Sequence, residues 1–361
     1  MSSTMGERLK ISIFGESHGG AIGVVIDGFP AGEEIDFEAL QRFLNRRAPG
    51  QLDFQTKRHE SDIPEFLSGV LDGITTGAPI CAIIKNENTH SKDYDMFRNI
   101  PRPSHADYPA LLRYNGFNDI RGGGHFSGRL TAPLCIAGGL ALQFLARHDI
   151  TIGAHIASIG SAHDTQLDPV NVDATELHKL KEKSVPVLDD EAGHEMIETF
   201  KAARDAQDSV GGIIECAAVG YPAGIGSPIF GGLENRLATS IFGIPAVRGL
   251  EFGIGFESAT MQGSTHNDTY TVVDGNIKTC TNNHGGIIGG ISTGMPIILR
   301  VAIKPTPSIG TEQGSVNISN KTETTLKIEG RHDPCIVPRA VPCVEAAVGI
   351  VLLDMLLCEQ K

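Results

Sequence analysis

The sequence predicts strands and helices arranged as two related strand–helix–strand halves, and three observations carry that prediction. Gly28-Phe29-Pro30-Ala31-Gly32 reappears as Gly220-Tyr221-Pro222-Ala223-Gly224. Gly73-Ile74-Thr75-Thr76-Gly77-Ala78-Pro79-Ile80 reappears, in the same chain order, as Gly290-Ile291-Ser292-Thr293-Gly294-Met295-Pro296-Ile297. The flanks match as well: a β-type run precedes each copy of the first motif, a helical pattern follows it, and a strand follows each copy of the second. Either match alone is ordinary turn chemistry. Two in register indicate an internal duplication.

The elements follow in order. Leu9 to Phe14 and Ile22 to Ile26 read as strands. Phe37, Leu40, Phe43 and Leu44 fall on one helical face. Cys81 to Lys85 is a strand, and Pro133 to Arg147 a helix. In the second half Ile213 to Val219 is a strand, Leu233, Leu237 and Ile241 share a helix face, and Ile298 to Lys304 is a strand. The chain is expected to be one domain over 1–361, with halves of about 8–150 and 205–310. A connector over 151–204 holds helical patterns at Asp173–Lys183 and Asp189–Ala206. The segment 311–361 ends in a helix, about Ala340–Cys358, whose apolar residues nearly encircle it, so it is expected to be buried. A site is sought where the halves meet.

Composition excludes several classes. Lys and Arg number 30 against 43 Asp and Glu, a net charge of −13, which disfavours a general nucleic-acid binder. The best membrane-span candidate, Val341 to Cys358, carries Glu345 and Asp354, so no membrane role is expected. The N-terminus lacks an apolar signal core, so a cytoplasmic location is expected. Seven cysteines without a CxxC pair read as reduced core thiols, not a disulfide frame or zinc site. Gly is 43 of 361 residues, well above the usual ~7 %. That implies many tight turns and close backbone approaches.

The polar loops indicate an anionic ligand handled with acid–base chemistry. Gly15-Glu16-Ser17-His18-Gly19 follows a strand and presents His18 as an acid or phosphate partner, or as a plain turn histidine. RNIPRPSHAD (98–107) presents Arg102 and His105 from a proline-stiffened loop. RGGGHFSGR (121–129) offers three glycine amides to an anion, with Arg121, His125 and Arg129 adding charge, and a helix N-terminus follows. NHGGIIGGISTG (283–294) permits close approach either to a ligand or between backbone segments. KPTPS (304–308) offers Lys304, Ser308 and backbone N–H groups to a phosphate, or is a plain strand-to-loop exit, and RHDPC (331–335) offers Asp333 as a base, or as a turn cap, with Arg331 as an anion clamp. GK[ST], GxGxxG, GxSxG and HExxH are all missing, so no Walker loop, dinucleotide fingerprint, serine hydrolase or metal enzyme is expected.

These segments, together with LNRRAPG, LSGVLDGITTGAPI and GRHDPCIVPRAVP, occur in the order found in the chorismate synthase family, which the chain resembles over nearly its whole length. The resemblance implies an α+β fold, a β-α-β sandwich with helices between two mainly antiparallel sheets. It implies an anti 1,4-elimination of phosphate from 5-enolpyruvylshikimate 3-phosphate, requiring reduced FMN without net redox change. His18 would protonate the departing phosphate, with Ser17 beside it on substrate. His105 would favour the anionic reduced flavin, and Asp333 would act as a base at the flavin N5 proton. Arg47, Arg102, Ser127, Arg129 and Arg331 would hold substrate. His125, Phe126, Ser127, Ala246, Gly289, Lys304, Pro305, Thr306, Pro307, Ser308 and Arg331 would line FMN. A homotetramer is implied too.

The chain departs from the family pattern in places. Many members read GGGRSSARETA where this chain reads GGGHFSGRLTA, so His125 stands at an Arg position, Phe126 at a Ser and Leu130 at a Glu. Asp53 stands where many members have a basic residue. No reductase domain is visible, so an external flavin reductase is expected, with NADPH entering only indirectly. Competing readings are a flavin-dependent oxidoreductase of an anionic metabolite and a non-catalytic phosphometabolite-binding protein.

Overall fold

The computed structural model describes residues 3–50, 62–86, 96–328 and 333–359. Its strands in chain order are β1 (Thr4–Met5), β2 (Lys10–Gly15), β3 (Ala21–Asp27), β4 (Glu65–Ser68), β5 (Ile80–Lys85), β6 (Thr151–Ile159), β7 (Ala162–His163), β8 (Gly212–Val219), β9 (Val247–Phe252) and β10 (Ile297–Ile303). Short hairpins lie outside this frame. The main helices are α1 (Phe37–Arg47), α2 (Asp107–Arg113), α3 (Thr131–Ala146), α4 (Ala174–Glu182), α5 (Asp190–Asp205), α6 (Leu233–Ile241) and α7 (Val337–Glu359). Two five-stranded sheets form, ordered β1-β2-β3-β5-β4 and β9-β10-β8-β6-β7. All their pairings are antiparallel. Helices α3 and α7 lie between them, α3 on the first sheet and α7 on the second, flanked by α1 and α6. The fold is therefore the α+β sandwich that the resemblance implies.

The duplication is visible atom by atom. Thr75 Oγ1 donates to Pro30 O (2.7 Å) and accepts from Glu33 N (2.9 Å), while Gly32 N donates to Thr75 O (2.8 Å). In the second half Ser292 Oγ donates to Pro222 O (2.5 Å) and accepts from Ile225 N (3.0 Å), while Gly224 N donates to Ser292 O (2.8 Å). The repeated motifs are thus one hydroxyl-locked corner used twice. The series β2-β3-α1-β4-β5-α3 corresponds to β6-β8-α6-β9-β10-α7. The second copy accordingly begins at Thr151, inside the stretch read as connector, and α4 and α5 are an insertion between its first two strands. The sequence hides β6 because α4 covers its outer face, where Leu177 and Leu180 pack with Leu167, Ala217 and Ile298. A strand buried on both faces loses its polar alternation.

α3 and α7 run parallel and in backbone contact. A Cβ on Gly138 would lie 2.2 Å from Ala346 Cβ and 2.4 Å from its Cα, so only glycine permits this crossing. Both helices are long and apolar enough to cross a membrane by length and composition, yet both are mostly buried inside the fold. The charges on α7 are the reason the pattern is broken, and each is paired. Glu345 holds Arg46 at 2.6 and 3.0 Å and accepts Ala154 N. Asp354 accepts the backbone N–H groups of Glu7, Arg8 and Leu9. A buried carboxylate without such partners is strongly destabilising.

Candidate active site

Because α3 and α7 are parallel, both N-termini open on the same side of the sandwich. Each concentrates roughly half a positive charge there. A cleft of about 740 Å³ lies at these ends. Its walls are Arg47 and Arg129, the 122–128 loop, Ser104–Ala106, the apolar turn Phe242–Val247, Lys304 with Thr306–Ser308, and Asp333 with Arg339. Of the expected residues, His105, His125, Phe126, Ser127, Arg47, Arg129, Ala246, Lys304, Thr306, Pro307, Ser308 and Asp333 line it. Ser17 and His18 stand directly behind Gly122.

The glycine run makes room for neighbouring side chains and backbone. Gly122, Gly123 and Gly124 all have positive φ (60°, 84° and 54°). A Cβ on Gly122 would fall 2.3 Å from His18 Cε1 and Nδ1 and 2.6 Å from Ser17 Oγ. A Cβ on Gly123 would face the His105 ring at 3.3 Å. A Cβ on Gly124 would strike Asp119 O at 2.0 Å. Two successive glycines therefore seat the two histidines, and the third closes the loop. The second glycine-rich segment resolves as backbone packing: Cβ atoms on Gly285, Gly286 and Gly290 would meet backbone atoms at 2.2–2.4 Å.

His105 rests on a charged base. Its Nδ1 lies 2.6 Å from Asp107 Oδ1. Arg102 binds Asp107 bidentately, Nε and Nη2 each at 2.8 Å. Burial opposes charge on Asp107, but the hydrogen bonds from Arg102 and His105 outweigh it and hold its pKa well below the usual carboxylate range. Arg102 is not a cleft-lining group; it is spent on Asp107 and reaches Ser308 Oγ at 3.3 Å. It stands beside His105, its guanidinium bound to Asp107.

The remaining cations are organised by buried acids. Arg47 Nη2 meets Asp62 Oδ2 at 2.7 Å, and Arg129 meets Asp62 Oδ1. Asn86 accepts from Arg129 Nε and donates to Glu16 O and Gly19 O, tying Arg129 to the His18 loop. Arg339 Nη1 binds Asp333 Oδ2 at 2.9 Å, and its Nε donates to Arg47 O. Burial pushes the Asp333 carboxyl up, with Arg339 opposing. Asp333 Oδ1 has no side-chain partner among the described residues. Lys304 Nζ donates to Ser104 O (2.6 Å), and burial lowers its pKa. Thr306 Oγ1 donates to Asp333 O, joining that loop to the Asp333 backbone.

At the departures, His125 Nδ1 donates to Gly15 O (2.8 Å) while Nε2 meets Ser3 Oγ (2.8 Å), so both ring nitrogens are used within the protein. Ser127 Oγ accepts from Arg129 N, and Phe126 stacks edge-on with Tyr114. Pro305 packs behind the cleft against Gly211. Gly289 is exposed in the turn between Ile288 and Ile291, and does not line this cleft. Arg331 and Asp53 lie outside the described residues. Four site residues escaped the sequence reading. Asp107 and Arg339 sat unread inside RPSHAD and VPRAVP. Asp62 and Asn86 had no local signal, because their partners are remote in sequence.

Comparison with known proteins agrees with this construction. The family model described as chorismate synthase matches residues 9–357. Chorismate synthase of Thermococcus kodakarensis is 47 % identical over 353 residues, covering 98 % of this chain and 97 % of that one. Chorismate synthase of Lancefieldella parvula is 46 % identical over 367 residues, covering 99 % and 96 %. A crystal structure of chorismate synthase superposes with a TM-score of 0.77 at 27 % identity, covering 98 % and 93 %. This chain belongs to the chorismate synthase family.

Proposed function

We infer that this cleft performs the family's reaction, the anti 1,4-elimination that removes phosphate from C3 and a hydrogen from C6 of 5-enolpyruvylshikimate 3-phosphate to give chorismate, with reduced FMN present and unchanged overall. The observation that carries this reading is one cleft lined by His105 and Asp333, with His18 packed directly behind its Gly122 wall, over a floor of two helix N-termini and paired arginines. The chain fits a flat anionic cofactor. Phe242–Val247 gives an apolar wall, Ala246 holds a φ of 74° with its carbonyl fixed by Lys304 N, and the Lys304–Ser308 segment runs along the opening. The bound reduced flavin supplies the electron density that helps phosphate depart.

The protein's part is positioning and charge. His18 protonates the phosphate as it leaves, with Ser17 at the same edge. Arg47, Arg129 and the helix ends neutralise the substrate's anionic groups, and Arg331 is proposed to join them. His105, propped on Asp107, stands by as proton partner to the flavin. Asp333 receives a proton at Oδ1. Burial makes it a stronger base than an exposed carboxylate, while Arg339 favours its ionised form. NADPH is proposed to act only by reducing flavin through an external reductase. The enzyme is proposed to be a cytoplasmic homotetramer.

The test is an anaerobic incubation with dithionite-reduced FMN and 5-enolpyruvylshikimate 3-phosphate, following phosphate, chorismate and flavin spectra. Chorismate with flavin still reduced is expected. Product formed with stoichiometric change in flavin oxidation state would replace this reading by the oxidoreductase. Binding without product would leave a metabolite-binding protein.

A further inference from the structure

We propose that Cys135 and Cys343 are a redox-closing dithiol beneath the cleft, in which hydrogen peroxide oxidises Cys343 and Cys135 resolves it to a disulfide that switches the site off. The two thiols lie 3.9 Å apart, on the second turns of α3 and α7, and Cys135 Sγ donates to Cys343 Sγ. Cys343 lines the cleft, whereas Cys135 does not, so a small oxidant entering the cleft meets Cys343 first. A disulfide needs its sulfurs at about 2.05 Å and its backbones close. The backbones are close: one turn further on, α3 and α7 touch at Gly138 and Ala346. Closing the bond requires the two sulfurs to approach by a further ~1.9 Å.

The electrostatics accord with that order. The hydrogen bond from Cys135 lowers the Cys343 thiol against burial, which raises it, and the charges of Arg47 and Arg339 help, while burial raises Cys135. A cleft-facing thiol of lowered pKa beside a protected partner is the arrangement of a redox-sensing pair. In the first step the Cys343 thiolate attacks one peroxide oxygen and the O–O bond breaks. This leaves a Cys343 sulfenic acid and hydroxide, which takes a proton to become water. In the second step Cys135 sulfur attacks the sulfenic sulfur. The S–S bond forms, the S–O bond breaks, and the hydroxyl leaves as a second water with the Cys135 proton. Two thiols and one peroxide become one disulfide and two waters.

The switch acts through Arg339. Cys343 Sγ donates to Arg339 O at 3.3 Å, and turning toward Cys135 forfeits that bond. Arg339 in turn holds Asp333 and the Arg47 carbonyl. Oxidation thus loosens the turn that orients the proposed base, a consequence that rests on the function proposed above.

The experiment treats the full-length protein with hydrogen peroxide, removes the oxidant, alkylates free thiols under denaturing conditions, and maps peptides by mass. The same sample is assayed for chorismate formation before and after dithiothreitol. The expected result is a linked peptide joining residues 135 and 343, lighter than its two parts by two hydrogens. Turnover is expected to fall at least tenfold in step with the link and to return on reduction. Cys135→Ala is expected to form no link; its Cys343 sulfenic acid, lacking a resolving thiol, goes on with excess peroxide to sulfinic acid, and activity is lost without recovery in dithiothreitol. Recovery of both cysteines as alkylated peptides would overturn the proposal, as would a link that leaves turnover unchanged or equal reversible loss in Cys135→Ala. If that variant does not fold, the parallel time courses of link and activity in the parent decide alone. The mass arm is independent of the reaction, so its failure is distinct from a failure of the proposed function.

Discussion

Gly122→Ala tests the site at its tightest contact. The added Cβ would lie 2.3 Å from the His18 ring, where carbon contacts ordinarily settle near 3.5 Å, so the ring must retreat by about 1.2 Å. Misplacement of a reacting group by about 1 Å costs roughly 10²-fold, or about 2.7 kcal/mol in the barrier. The backbone adds a second, separable cost, because φ is 60° and alanine in the left-handed region is disfavoured by about 1–2 kcal/mol. Gly123→Ala separates the two. It carries comparable backbone strain (φ 84°), but its Cβ would meet His105 at 3.3 Å, a contact relieved by a few tenths of an ångström. The assay is anaerobic turnover with reduced FMN, with kcat and KM determined separately and thermal unfolding in parallel. Gly122→Ala is expected to lose about 10² in kcat with a modest fall in Tm, and Gly123→Ala about tenfold or less with a similar fall in Tm. A Gly122→Ala enzyme within threefold of the parent kcat would refute the idea that this glycine positions His18.

Four further outcomes follow from the same geometry. Asp333→Asn is expected to bind substrate nearly as the parent does while kcat falls by about 10²–10⁴, measured by equilibrium binding beside turnover; an unchanged rate would remove Asp333 from the chemistry. Because burial raises the Asp333 carboxyl and Arg339 opposes that, the ionised base is lost as pH falls through its raised pKa, and Arg339→Ala is expected to move the acid limb of the kcat–pH profile upward. His155 is buried between Asp164 and Glu215, 2.9 Å from each. Burial lowers its pKa, but the two carboxylates more than reverse this and raise it. The stability it contributes is therefore full below the unfolded histidine value and lost as pH rises through the folded one. Urea midpoints of the parent should thus decline with pH above about 6.5 more steeply than those of His155→Gln. Asp354→Ala leaves three backbone N–H groups without their acceptor and is expected to cost about 3 kcal/mol or more in chemical unfolding; a loss under 1 kcal/mol would contradict that role.

The sequence by itself determined the repeated corners, the buried C-terminal helix and the loops that carry His18, His105 and Asp333. Those features are local: proline, glycine and hydroxyl positions fix a corner wherever it occurs, and a helix apolar all round must be interior. The tertiary structure alone decided where each loop sits and what it packs against. Glycines 122 and 123 look like an anion nest in one dimension and become seats for two histidines only when the Ser17–His18 and Ser104–His105 loops pack on them. Arg102 looks like a ligand clamp and proves to be bound by Asp107, five residues on. Strand β6 reads as connector until α4 covers its second face. Asp62, Asn86 and Arg339 acquire roles through partners far along the chain, and the shared floor of the site exists because two repeat helices lie parallel. Except for the Arg102–Asp107 pair, these facts depend on contacts between residues distant in sequence, so no single stretch contains both sides of the contact.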